Sequence, residues 1–480
     1  MAYDGGSDFG GGWAGDFGQA DVQEYMQVYR QIQKSLEAGY PEPTYAGGGS
    51  GGALMTQSIE GTLKWATFKQ DHLRFWPKFP KSDQKLSNTV HEYTRQTDLG
   101  ARVDLWAAEG AVGPEIDSNF ERLLAKVKYV SLKKRVSHPI TLLSNMIGGA
   151  ALDKANKDAS LYIKEFMDRQ LFFGDSTMNA AAFDGLKRTC EATHTAANPK
   201  VHDLRGAALD SSRMRDESVR LVNPPNYGNP GVVWMSFETL EDQGKLMGTY
   251  LRYDMADVVA RNAVGDRRTT LQATGFNGPY GPVNFEASIQ LGSRGAPAAT
   301  AIGEVQPAQP NPSLATADDA ATLFVAADYG VYQYQFVAVG AKGKSLHSVS
   351  DAATIDATHR KVTATIAAPG TDNVLYYEVF RSKVGETGVW KIADVVQARA
   401  GGVPDTTTFV DMNENLPDTA FAFMLEMSSE VMEWKQLLDF ARVPLARTDL
   451  YFPFTYIIYG TPIFYLPLKM CMFKNVGRAS

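Results

Sequence analysis

Residues 340–345, Gly-Ala-Lys-Gly-Lys-Ser, have the ending of a phosphate-binding loop, in which backbone N–H groups cradle phosphate beside a lysine. That loop needs a further glycine where Ala338 stands, and a helix after it. Alternating β-branched and aromatic residues on both sides predict strands instead, so the stretch reads as a hairpin turn. The histidines (His72, His91, His138, His194, His202, His347 and His359) show no HExxH or related ligand spacing. His194 and His202 read as surface residues of one loop. Asp318-Asp319 could touch a calcium ion weakly, but a solvated acidic edge accounts for the pair. Gly-Gly-Gly-Ser-Gly-Gly at 47–52 has no strand before it to form a nucleophile elbow and reads as a flexible joint. Cys190 and Cys471 are the only cysteines and lack CxxC spacing, which points to a reducing compartment rather than a disulfide framework. No catalytic constellation, cofactor motif or metal-ligand set emerges, and the expected function is not enzymatic.

The elements that would have to carry such residues say more. A chain of 480 residues is too long for one core, and 44% hydrophobic with 11% aromatic content lets it bury two or three. The net charge of −7 argues against a free-standing nucleic-acid binder while allowing a local basic face. No run approaches the ~18 uninterrupted apolar residues of a membrane span. The first residues have neither the basic segment nor the apolar core of a secretory leader, so a soluble cytoplasmic product is expected.

Along the chain, residues 1–18 are rich in Gly and Asp and read as an arm. Apolar positions Val22, Tyr25, Met26, Tyr29, Ile32 and Leu36 predict a helix over 20–37. From 63 to 102 the aromatics Trp65, Phe68, Phe75, Trp76 and Phe79 are interleaved with Lys69, Lys78, Lys81 and other polar residues, which predicts a two-stranded ribbon. That segment holds 8 Lys/Arg against 4 Asp/Glu and has no stripe of its own, so it should lie on something else. A strand is expected over 126–137. A long helix is expected over 153–173 with Ala155, Ala159, Tyr162, Ile163, Phe166 and Leu171 inward, and further helices over 237–262 and 424–442. Residues 296–316 have an Ala/Pro-rich linker texture, and the runs after them predict an all-β sandwich. Within 297–419 there are 8 Lys/Arg and 14 Asp/Glu, so nearly all of the net charge sits there. The C-terminal run predicts strands broken at Pro453, Pro462 and Pro467.

One phrase is specific. The 153–173 helix ends in Phe172-Phe173-Gly174-Asp175, and Phe183-Asp184-Gly185-Leu186 follows. Gly174 should supply a left-handed stop, and Asp184-Gly185 a tight turn returning Leu186 to the core. This phrase, with the order of elements around it, resembles the major capsid proteins of tailed bacteriophages of the Hong Kong 97 type. Residues 330–345 and 373–396 resemble an immunoglobulin or fibronectin type III-like domain.

The resemblance implies an α+β fold: an arm (1–53), an extended loop (54–110), a peripheral domain with its spine helix (111–230) and an axial domain (231–296). The inserted sandwich (297–419) and a return to the axial and peripheral domains (420–480) complete it. It also implies a shell subunit of the virion, assembled in the host cytoplasm as hexamers and pentamers of an icosahedral head, with the insertion outward. Portal and scaffolding proteins, non-specifically held double-stranded DNA and a decoration protein are the implied partners, without a membrane. Trp65, Phe68, Lys69, Phe75, Trp76, Lys78, Phe79 and Lys81 become the expected subunit interface. Isopeptide cross-links through Lys69, Lys78, Lys81 or Lys85 are a variant of the family, though ordinary ion pairing across subunits suffices for these lysines. A tail or decoration protein and an encapsulin-like nanocompartment shell are the rival readings; a carbohydrate-active enzyme with a fibronectin module fits least, for want of paired carboxylates.

Overall fold

The computed structural model describes residues 69–142, 151–248, 274–398 and 406–479. Residues 101–102, 107, 294, 296, 368–373, 389–390 and 448 are excepted, and isolated positions 23, 26 and 27 are added. The expected arm, nearly all of the 20–37 helix and the second half of the 237–262 helix lie outside these residues; Phe237–Gly248 is helical.

The long helix is Ala151–Phe173. Ala159, Ile163, Met167 and Leu171 recur at steps of four, with Asp168 and Phe172 beside them, and this stripe is buried. Tyr162 and Phe166, expected inward, are instead an exposed flank. The helix packs across a three-stranded antiparallel sheet whose order is Met432–Pro444, Tyr451–Phe464, Lys128–Ser137. The expected strand over 126–137 is thus present. The middle strand runs through Pro453 and Pro462 without breaking. The 424–442 helix is absent: Ala420–Leu425 and Met432–Pro444 are strands. Met432 and Trp434 are buried on one face while Glu433 and Lys435, on the other, pair at 2.7 Å, a period of two that a helical reading obscures.

A second, mixed sheet of six strands has the order Val201–Asp203, Cys471–Val476, Ala420–Leu425, Val232–Met235, Gly281–Ala287, Gly275–Gly278. Val232–Met235 pairs in parallel with Gly281–Ala287 on one side and antiparallel with Ala420–Leu425 on the other. The chain leaves the sheet after one of these neighbours and returns in the other, with a β-sandwich built in between.

That sandwich faces a three-stranded sheet (Pro312–Ala317, Lys361–Ile366, Thr407–Asp411) against a six-stranded one centred on Gly330–Gly340 and Val374–Arg381. Tyr334, Phe336, Ala364, Ile366 and Tyr377 fill its core. The Ala/Pro-rich stretch expected to be a linker contributes two of its strands, Ile302–Gly303 and Pro312–Ala317. The lysine-bearing turn after Gly340 is a hairpin, with Val339 opposite Lys344. Asp318 and Asp319 pair with Arg360 (2.8 Å) and Lys361 (3.0 Å), an ion-paired edge. His202 is not a surface residue: its Nε2 lies 3.0 Å from Glu217 and both side chains are largely buried.

Candidate assembly surface

The aromatic segment expected to form a ribbon does something else. Phe75–Lys78 is one short helical turn, and Phe75, Trp76 and Phe79 are buried in this chain's own core. Phe75 stacks on Phe172 (4.2 Å) and meets Trp234 edge-on (5.0 Å); Trp76 meets Trp434 edge-on (5.2 Å). Asp168, from the long helix, accepts the Phe75 and Trp76 N–H groups at 3.0 and 2.7 Å. The segment continues beside the three-stranded sheet: Trp434 N–H donates to Pro80 and Ser82 N–H to Trp434. Phe75, Trp76 and Phe79 are therefore removed from the interface set, because a chain with only two strands' worth of aromatics per turn buries them fastest against its own helix. Lys78 pairs with Glu286, and Lys81 lies over the Trp76 ring at 4.4 Å. Lys69 is exposed. Trp65 and Phe68 lie outside the described residues.

The true ribbon lies further on. Val90–Asp98 pairs antiparallel with Asn119–Lys126, from Val90 opposite Lys126 to Asp98 opposite Asn119. Two strands alone are marginal in water. The base is held by Tyr93 edge-on to Tyr465 (5.1 Å), by Arg95 paired with Glu121 (2.8 Å) and by Arg95 donating to the Tyr465 carbonyl. Beyond the base nothing covers it. Leu105, Trp106 and Val112 at the tip are 67%, 92% and 96% exposed, and Phe120 and Leu124 are exposed along one edge. An apolar tip of this kind marks a contact surface. The sequence signal was present, since Leu105-Trp106 stands among Gly, Ala and acidic residues, but the basic aromatics upstream drew the reading away.

The glycine phrase closes the other end of the long helix. Gly174 N–H donates to Gln170 O (2.7 Å) and Gly185 N–H to Gly174 O (2.8 Å). Neither glycine has a positive φ, so the expected left-handed stop is not the reason for them. A Cβ at Gly174 would lie 2.5 Å from Phe183 O, and one at Gly185 2.7 Å from Gln170 O; the two backbone runs touch. Asp175 accepts from Thr177 N–H and Asp184 from Ser176 N–H, both at 2.8 Å. Phe183 packs on Trp434 (5.8 Å), and Leu186 is fully buried, as the turn required.

A groove of about 750 Å³ runs between the exposed helix flank and the sandwich, lined by Tyr129, Tyr162, Phe166, Arg169, Tyr376 and Glu378 among others. Its charges are largely consumed: Lys344 with Glu378 (2.7 Å), Lys187 with Glu191 (3.7 Å), Arg188 with Asp175 (3.9 Å). Among the described residues no group of three or more His, Cys, Asp or Glu side chains could hold a metal ion, and no helix is long and apolar enough to cross a membrane. Burial pushes the Cys190 thiol up to about 12 and the Lys200 ammonium down to about 8, where it donates to Asn226 (2.7 Å) and the Leu468 carbonyl (2.5 Å).

An uncovered ribbon, a long helix laid on one sheet and a second sheet interrupted by a sandwich together make the α+β capsid fold of the Hong Kong 97 type. No protein-family model matches the chain. It is similar, at 22% identity over 478 residues, to the major capsid protein of Staphylococcus phage S25-3, covering 95% of this chain and 97% of that one. The major capsid protein of Staphylococcus phage K gives the same identity and coverage. Among solved structures, the capsid of Myoviridae phage XM1 has a TM-score of 0.43 at 7% identity, over 87% of this chain and 96% of its own.

Proposed function

We infer that this chain is the major capsid protein of a tailed phage, a structural subunit of the virion that assembles into multimeric shells. The observation carrying the reading is the similarity to phage major capsid proteins over 95% of the chain, which takes in the ribbon, the long helix and the insertion alike. The chain's work is assembly rather than catalysis. The ribbon Val90–Lys126 lies across an adjacent subunit and buries Leu105, Trp106 and Val112 there, each contributing on the order of 1.5–3 kcal/mol. Hexamers and pentamers multiply these modest contacts around closed rings. The acidic sandwich, immunoglobulin or fibronectin type III-like in its strand pattern, projects outward. The near-neutral remainder faces packaged double-stranded DNA without strong repulsion. Scaffolding and portal proteins set the size and the vertex, and a decoration protein finds a seat outside.

The test is negative-stain microscopy of the purified chain, alone and with a candidate scaffolding protein. Closed shells are expected from the wild type and only folded, unassembled protein after deletion of 101–116. A wild type that stays a lone monomer under every packaging condition would refute the reading.

A further inference from the structure

A second charged surface lies far from the ribbon tip, at the hairpin joining Met432–Pro444 to Tyr451–Phe464. Asn119–Lys126 continues through Val127 into Lys128–Ser137, so the tip and this sheet end terminate opposite ends of one extended run. At ~3.3 Å per residue that run reaches about 60 Å. The sheet end carries Lys133, Lys134 and Arg135 on its outer strand and Arg442 and Arg447 across from them. Arg135 lies over Tyr451 (5.1 Å), Arg442 over Phe454 (4.8 Å) and Arg447 over Phe452 (3.8 Å). These rings hold the guanidinium groups flat and outward. Among the described residues none of these cations pairs with a carboxylate, and Val443, Leu445, Leu450 and Tyr451 form an exposed apolar rim around them.

The ribbon tip is the complement of this surface. Asp104, Glu109, Glu115 and Asp117 are exposed around Leu105, Trp106 and Val112, and among the described residues none of the four meets a cation. We propose that the basic, aromatic sheet end of one copy receives the acidic ribbon tip of a second copy, head to tail. This rests on the shell reading and names the receiving surface. One chain cannot make the contact with itself, because its own tip and sheet end point apart. Each copy gives one tip and takes one, so the contact propagates into rings or sheets of subunits. Nucleic acid is the other polyanion in reach, but phosphates offer nothing to Leu445, Leu450 or Val443. The tip supplies both the charge and the apolar side chains.

The test uses two full-length variants. One carries D104K, E109K, E115K and D117K; the other carries K133E, R135E, R442E and R447E. All eight positions are exposed, and matching thermal melts confirm that the variants fold. Each variant alone is expected to lose assembly, and an equimolar mixture to regain it, since every tip then meets an opposite charge. A sheet-end variant that assembles like the wild type, or a mixture that stays monomeric, overturns the proposal. A sheet-end variant that assembles normally but retains less DNA in purified particles also overturns it, assigning the surface to nucleic acid. If the wild type forms no shells while the mixture sediments as discrete hetero-oligomers, the contact stands and the shell reading falls.

Discussion

Asp168 offers the sharpest test of how this fold is held together. It lies in the middle of the long helix, fully buried, with one oxygen accepting the Phe75 and Trp76 N–H groups and the other, Oδ2, without a partner. Burial pushes its carboxyl up to about 6; the two backbone donors pull it back, and neighbouring Glu165 adds to the rise. A carboxyl raised in the folded state binds its proton more tightly there than in the unfolded chain. Its contribution is therefore most favourable at low pH and is lost as pH climbs through about 6. Asp168→Asn keeps an oxygen for both N–H groups and has no charge to bury. The variant's stability relative to wild type should rise by about 2 kcal/mol between about pH 4.5 and 7.5, given a carboxyl shifted from 3.8 to about 6. Hydrogen exchange of the 69–82 peptide, corrected for intrinsic rates, reads the effect where it acts, and taking the difference from wild type cancels other titrating groups. Equal pH dependence in the two proteins would show that the carboxylate is already solvated and that it does not pin the strap.

Four further outcomes follow from the same contacts. Gly185→Ala should lower the melting temperature sharply and reduce soluble yield, because the new Cβ would lie 2.7 Å from Gln170 O and 2.8 Å from Leu171 O with no side chain able to yield. Phe75→Ala should cost about 3–5 kcal/mol of stability by denaturant titration, leaving a cavity against Phe172 and Trp234. Trp106→Ala should leave that titration unchanged, within about 0.5 kcal/mol, and weaken assembly by light scattering. Asp411→Ala should destabilise the sandwich by about 3–5 kcal/mol, exposing it to limited proteolysis, since it strands the fully buried Arg381 and removes the acceptor of the Tyr334 hydroxyl.

The long helix, the strand after the ribbon and the sandwich were legible in the sequence because each carries a period. Steps of four through Ala159, Ile163, Met167 and Leu171 leave little choice, and alternation through Tyr332, Tyr334 and Phe336 leaves as little. The strand Met432–Pro444 was not legible, because Leu437, Leu438, Phe440 and Ala441 also fit a helical stripe and only the partner strand, with its register shifts at Gln436 and Leu438, decides. The assembly surface was half legible. Aromatic content pointed to 63–102, yet composition cannot tell an aromatic that will be covered by a distant helix from one that will not. Asp168 stands 92 residues from Trp76 in sequence, and no local pattern announces that pairing. The glycines were placed correctly for the wrong reason: close backbone approach and left-handed φ select the same residue.

The insertion shows why a composition shift is a poor guide to mechanics. An Ala/Pro-rich border suggests a domain swinging on a tether, but the joint is built from fixed polar contacts. Arg205 donates to the carbonyls of Asn413 and Leu323. Asn475 accepts from Leu416 N–H at 2.9 Å and donates to the Glu414 carbonyl at 2.8 Å. Asp418 pairs with Lys383 (2.8 Å) and Lys391 (3.2 Å) while accepting from Ser293 (2.8 Å). Asn475 belongs to the sheet strand that also carries the buried Cys471, Met472 and Phe473, so the sandwich is clamped to an element that cannot shift without opening the core. A subunit fastened in this way turns as one piece with its insertion. In a shell, the orientation of the acidic sandwich would then be set by the ring contacts of the platform beneath it, and any seat it offers a partner would repeat with the symmetry of the lattice.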